Sequence, residues 1–208
     1  LFAIIQAAGW PIWPLLLCSV IMVTLIIERS VALREAKVIP PKLLQEAIQV
    51  SQSQLPAPDT INKLEHNSPL GKVLASGFRI LATTHQPTRE AIVDTMEDTG
   101  RQVAHGLEKY LPGLATIATA APLLGLLGTV VGMIEIFGSQ SPTGGTNPQQ
   151  LAHGISVALY NTAFGLIIAI PAYVMHRYFR SKVDAMVLQL EASAKRFSDH
   201  LIRLAAKR

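Results

Sequence analysis

Thr129 and Thr162 are the two residues of this chain whose type and position could do chemistry at membrane depth. A threonine hydroxyl both donates and accepts a hydrogen bond, so it can pass a proton along a wire of waters without carrying charge itself. The other role of such a hydroxyl is a bond to the carbonyl one turn back, frequent in membrane helices. Both roles stay open on the residues alone. Thr162 shares a helical stripe with Gly154, Ala158, Gly165, Ala169 and Ala172, at spacings of three and four. The opposite side of that segment carries Ile155, Leu159, Phe164, Leu166, Ile168 and Tyr173. A stripe of small residues lets another backbone approach closely, which supplies the contact that helix association in lipid requires. Thr129 stands among Gly125, Gly128 and Gly132, where Gly128-x-x-x-Gly132 is a second motif of this kind. The candidates for helix packing are therefore Gly125, Gly128, Gly132, Ala158, Gly165 and Ala169.

Two further polar residues are candidate auxiliaries. Asn161 lies one turn after Val157 and His153 one turn before it. An imidazole can titrate near neutrality, whereas a carboxamide only hydrogen-bonds. His153 also reads as a solvated loop residue. No His, Cys, Asp and Glu stand at the spacing of a metal site or a catalytic triad, so neither an enzyme nor a metal or cofactor is expected. Cys18 is the single cysteine, lies in an apolar run, and forms no intrachain disulfide.

The elements that must position these residues are membrane helices. Leu111 to Ile134 and Gly154 to Met175 hold no acid or base, and Ala7 to Ile27 is a third long apolar run. A hydrocarbon core of about 30 Å takes about 20 helical residues, so all three qualify as spans. All 18 Lys and Arg fall between Arg29 and Lys109 or between Arg177 and Arg208. The positive-inside rule then puts those two blocks in the cytoplasm, with the N-terminus and the loop Glu135 to His153 outside. The basic residues are interleaved with 12 of the 14 acids, which argues against nucleic acid as a partner. Arg177, Arg180 and Lys182 follow the third span and are expected to anchor it at lipid headgroups. Trp10 and Trp13 suit an interfacial aromatic belt. No basic n-region precedes the first apolar run, so a removable signal peptide is not expected.

Between the first two spans, prolines cut the chain into short helical pieces, with Ser51 to Pro58 read as a loop and helix starts at Ser68 and Thr88. From Thr88 onward, Ile92, Met96, Thr99, Val103, Leu107 and Tyr110 recur at helical spacing and run into the second span, with bends expected at Pro112 and Pro122. After the third span, Val183, Val187, Leu190, Ala194, Phe197, Leu201 and Leu204 form an apolar seam. That seam packs either on the chain's own long helix or on a second subunit. The expected fold is an all-α membrane protein of three transmembrane helices, two of them extended into a cytoplasmic helical bundle. Its expected division is a first span over 1–27, a cytoplasmic helical region over 28–110, a second span over 111–137, a periplasmic loop over 138–153, a third span over 154–175 and a cytoplasmic C-terminal helix over 176–208.

Three segments carry a family resemblance. APLLGLLGTVVGMIEIF, from Ala121 to Phe137, and GISVALYNTAFGLIIAIPAYV, from Gly154 to Val174, closely resemble the second and third spans of ExbB proteins. GWPIWPLLLCSVIMVTLIIER, from Gly9 to Arg29, extends the likeness to the first span, within the ExbB/TolQ/MotA proton-channel family. The resemblance implies a homopentamer in a bacterial inner membrane, around the single-span helices of an ExbD-like dimer whose Asp takes the proton. It implies that the proton-motive force is passed to a TonB-like protein for outer-membrane import. The family's pore threonines match Thr129 and Thr162. Many members carry Glu where Val157 stands, so the titratable group at lipid depth would come from the partner. Other readings are a TolQ-like subunit serving envelope integrity and a structural scaffold that conducts nothing. Stator subunits of the family usually have four spans, against the three counted here.

Overall fold

The computed structural model describes residues 9–53, 55–84, 87–138 and 148–206, except the side chains at 53, 150, 153 and 157. These residues form eight helices and no strand: α1 Ile12–Ala32, α2 Glu35–Val38, α3 Leu43–Ser53, α4 Pro58–Asn67, α5 Pro69–Thr83, α6 Arg89–Glu108, α7 Leu111–Gly138 and α8 Pro148–Ala205. Helices long and apolar enough to cross a membrane lie at Ile12–Ala32, within Arg89–Gly138 and within Gly154–Ala205. The chain is thus an all-α membrane protein with three candidate spans, a form in which each span satisfies its own backbone hydrogen bonds. The chain divides into two compact units, one of Leu1–Glu28 and Tyr110–Tyr178, the other of Arg29–Lys109 and Phe179–Arg208.

In the first unit, Gly9 sits at φ 73°, a left-handed conformation open to glycine without strain, and turns the chain into α1. Pro11 and Pro14 stand at the start of α1, where no intrahelical N–H is lost. Inside α7 and α8, Pro122 and Pro171 each remove one rung of the ladder, yet both helices continue. Leu111, Leu114, Ile117 and Ala121 of α7 are buried, as are Ala158, Ile168, Ala169 and Ala172 of α8. Ile168, expected on the bulky side opposite the small-residue stripe, lies instead on the packed face. Its position three after Gly165 and four before Ala172 sets it on the packed face, and there it is 6% exposed. The outward faces carry Leu123, Leu126, Val130, Ile134, Leu159, Ile167 and Ile170, as helices solvated by lipid require.

In the second unit, Ser68 accepts from the Gly71 N–H at 3.0 Å and Thr88 from the Ala91 N–H at 3.2 Å, each capping the helix that the sequence starts there. Of the loop expected over Ser51 to Pro58, residues 51–53 are helical and Pro58 opens α4. Ser51 and Ser53 remain in α3, where the Ser51 hydroxyl donates to the Ile48 carbonyl at 2.7 Å. Helix α5 carries the core. Leu70, Val73, Leu74, Phe78 and Leu81 are buried on it, with Ile92 and Met96 of α6 and with Phe197 and Leu201 of α8. Phe78 and Phe197 meet edge to face with ring centroids 5.0 Å apart. The end of the α8 seam at Phe197 and Leu201 therefore packs inside its own chain, on Gly77 and Phe78 of α5, and Val183, Leu190, Phe197 and Leu201 are the most buried members of the seam. Helix α6 stops at Glu108, and Lys109 and Tyr110 form a turn before α7. Pro112 offers no N–H to the Glu108 carbonyl, so the ladder lapses at this point.

Candidate functional site

The small residues of α7 and α8 lie against one another. A Cβ placed on Gly165 would stand 2.6 Å from the Ala121 carbonyl oxygen, and one on Gly125 would stand 2.7 Å from the Asn161 carbonyl oxygen and 3.0 Å from the Thr162 Cα. Farther along, a Cβ on Gly128 would meet the Asn161 side chain at 2.6 to 2.8 Å, and one on Gly132 would meet Ala158 at 3.1 Å. Gly154 at the far end faces Ile136. Each step up α7 is matched by a step down α8, so the two helices run antiparallel with the glycines as the points of closest approach. Of the packing candidates, Ala158 and Ala169 are 2% and 5% exposed.

The two threonines have different surroundings. Thr129 donates to the Leu126 carbonyl at 2.7 Å, the local bond that competes with any longer-range role. It also lines an open groove with Val130, Met133, Ile134 and Phe137. Thr162 lies at the crossing with Gly125, and its Oγ1 is buried with no hydrogen-bond partner among the described residues. A buried hydroxyl ordinarily finds a partner, and leaving it without one costs about 1–3 kcal/mol. The hydroxyls of Thr129 and Thr162 are not joined to each other. Thr129 lines a groove on α7, and Thr162 lies in the seam between α7 and α8.

Asn161 is 2% exposed, and its side chain fills the notch at Gly128. An asparagine on a membrane helix is thus placed where no side chain larger than hydrogen fits opposite. His153 falls within α8, but its side chain lies outside the described residues, as does that of Val157. Arg180 of the expected headgroup anchors is ion-paired with Glu108 at 3.0 Å and with Asp184 at 3.2 Å. The guanidinium thus already engages two carboxylates. Arg177 is exposed and Lys182 half-buried. Reasoning from spacing missed the Arg180–Glu108 pair, because its partners are far apart in sequence. The second span, expected over 111–137, is α7, which ends one residue later at Gly138 and takes in Glu135. Among the described residues no group of three His, Cys, Asp or Glu could hold a metal ion.

Comparison with known proteins bears on the same residues. The family model described as the MotA/TolQ/ExbB proton channel family matches residues 65–192, which include the α7–α8 seam. The chain is similar to the biopolymer transport protein exbB1 of Vibrio cholerae, 33% identical over 187 residues, which cover 89% of this chain and 82% of the relative. It is 29% identical over 205 residues to a putative biopolymer transport protein, ExbB-like 3, of Synechocystis, covering 93% and 95% of the two chains. Similarity to the Tol-Pal system protein TolQ of Haemophilus influenzae is 40% over 80 residues, 38% of this chain and 35% of that one.

Proposed function

The chain belongs to the MotA/TolQ/ExbB proton channel family, and from that premise we propose that it is the proton-channel subunit of an ExbB–ExbD-type motor in a bacterial inner membrane, coupling the proton-motive force to TonB-dependent outer-membrane import. Its work is transport and not catalysis. The proposed assembly is a homopentamer with its N-terminus in the periplasm and its C-terminus in the cytoplasm. It surrounds a dimer of single-span partners, and it acts on a TonB-like protein.

The observation that carries this reading is the Thr162 hydroxyl, buried at the Gly125 crossing and lacking a hydrogen-bond partner among the described residues. A hydroxyl held in that state is free to accept from and donate to a water or a partner carboxylate. Thr129 is proposed for the same path with a smaller share, because its proton is given to Leu126 and only its acceptor capacity remains. Protons passing these residues would reach a carboxylate on the partner helix, and neutralising it would change how that helix sits in the ring. One charge moved through 100 mV releases about 2.3 kcal/mol, so a few protons supply a usable stroke. An ExbB-type role is favoured over a TolQ-type one by the extent of similarity, 82% of the Vibrio relative against 35% of TolQ.

Thr162→Val keeps the shape and deletes the hydroxyl, while Thr162→Ser keeps the hydroxyl. The expected outcome is loss of proton-driven import with Val and its retention with Ser, the complex purifying intact in both cases. Equal import by the Val variant and the unaltered protein would end the assignment of Thr162 to the path, and absence of any proton leak in vesicles holding the chain and its partner would leave the scaffold reading in its place.

A further inference from the structure

The proton path proposed above leaves one acid unused. Glu28 and Glu135 are the two acids of the first unit, and Glu28 sits in the last turns of α1 with interactions of its own. Glu135 lies in the last turn of α7, exposed, and makes no ion pair among the described residues. Helix stability does not account for it there, because the C-terminal turn carries the negative end of the helix dipole and disfavours a carboxylate.

Its register is informative. Glu135 follows Gly132 by three residues and Gly128 by seven, the row on which α7 packs against Ala158 and Asn161 of α8. The adjacent Ile136 reaches Gly154 of α8. The carboxylate thus stands where the α7–α8 seam opens, ten residues along α7 from the Gly125 crossing that holds Thr162. At 1.5 Å per residue that is about 15 Å along the axis. Between them the carboxamide of Asn161 lies over Gly128. Carboxylate, amide and hydroxyl follow one another from the open end of the seam to its middle.

We propose that Glu135 is the proton-collecting residue at the mouth of this path. The proposal rests on the proton-channel reading above and on its outward orientation of the loop after α7. The carboxylate takes a proton from a hydronium ion in the outer water, becomes neutral, and gives it up to water on the way to Asn161 and Thr162. The hydronium ion is left as water, and the next hydroxyl or water on the path accepts the proton and restores the carboxylate, so no further reactant is needed. On the stretch of α8 facing this end, the titratable residue is His153, and no Lys, Arg, Asp or Glu lies from 148 to 176.

The test is proton flux into vesicles holding the complete complex with its partner subunits, followed by a pH-sensitive dye while the outer-side pH is stepped from about 5 to about 8. Glu135→Gln is expected to lower the flux several-fold at neutral outer pH and to flatten its dependence on outer pH. Glu135→Asp is expected to keep both, and His153→Gln to leave the step assigned to Glu135 in place. Equal flux and an equal profile in Glu135→Gln overturn the proposal. Equal losses with Gln and Asp at an unchanged profile also overturn it, since they mark a contact and not a titrating group. If Thr162→Val stops the flux while Glu135→Gln does not, the channel reading stands and this inference alone is lost. Absence of flux with the unaltered chain overturns both.

Discussion

Arg29 is 5% exposed, and its Nη1 donates to the Leu107 carbonyl at 3.1 Å. That carbonyl belongs to the last turn of α6, where the ladder ends ahead of Pro112 and the negative end of the helix dipole gathers. A buried guanidinium there satisfies a carbonyl and opposes the dipole together. Arg29→Gln is therefore expected to destabilise the protein by about 2–4 kcal/mol, read as a lower melting temperature of the detergent-solubilised protein, and Arg29→Lys by less. His200 gives a second prediction. The Ser51 hydroxyl donates to Ile48 and so accepts from His200 Nε2 at 2.8 Å. Burial first, and the Arg203 guanidinium second, hold this imidazole below its usual 6.5. The unfolded chain then binds the more protons just below 6.5, so stability rises with pH there. The contribution is complete above 6.5 and is lost as pH falls through the lowered native value. Melting temperatures measured from about pH 8 to about pH 5 should fall more steeply for the unaltered protein than for His200→Gln.

The helices pair according to what stands opposite each glycine, and that yields a graded series. Gly125→Ala sets a methyl 2.7 Å from the Asn161 carbonyl oxygen, and Gly165→Ala sets one 2.6 Å from that of Ala121, both backbone atoms that yield only if the helices part. Each should cost about 1–3 kcal/mol of stability. Gly132→Ala meets only the Ala158 methyl at 3.1 Å and should cost less. Gly106→Ala in α6 meets nothing within 4 Å, and the better helix propensity of Ala should stabilise by up to about 1 kcal/mol. Thermal denaturation of the four variants in one detergent checks the order, and Gly165→Ala as stable as Gly106→Ala would overturn the seam. The small-residue rows at Gly125, Gly128, Ala158 and Gly165 were legible in the sequence, because spacing of three and four fixes a shared face whatever covers it. The occupant of that face was not legible. Periodicity is a property of one helix, and the pairing of α7 with α8, or of the Phe197 row with Phe78 on α5, is settled by packing between residues distant in the chain.

On the scale of the whole chain, charge and hydropathy are segregated together. The second unit holds every Lys and Arg except Arg177, and the first unit holds the long apolar stretches of α1, α7 and the first part of α8. That division was readable beforehand, since a bilayer demands long uncharged runs and the basic blocks bracket them. Glu135 falls inside the span expected over 111–137, but its register against Ala158 and Asn161 of α8 was not readable, because that pairing belongs to two helices and not to one. The fate of the Thr162 hydroxyl was not readable either, because a back-bond and a buried free hydroxyl share one sequence pattern. The segregation of charge carries the last prediction, which concerns orientation. Basic residues near span ends are retained in the cytoplasm, so residues 139–147 between α7 and α8, which include none, are expected outside together with the N-terminus. In a Cys18→Ser background, a single cysteine introduced between residues 139 and 147 should react with a membrane-impermeant maleimide added to intact spheroplasts. A cysteine at Lys195, in the basic C-terminal block, should react only after lysis. The opposite pattern would invert the chain in the membrane and would place Glu135 at a proton exit, so the same experiment also decides the direction in which the seam between α7 and α8 is filled.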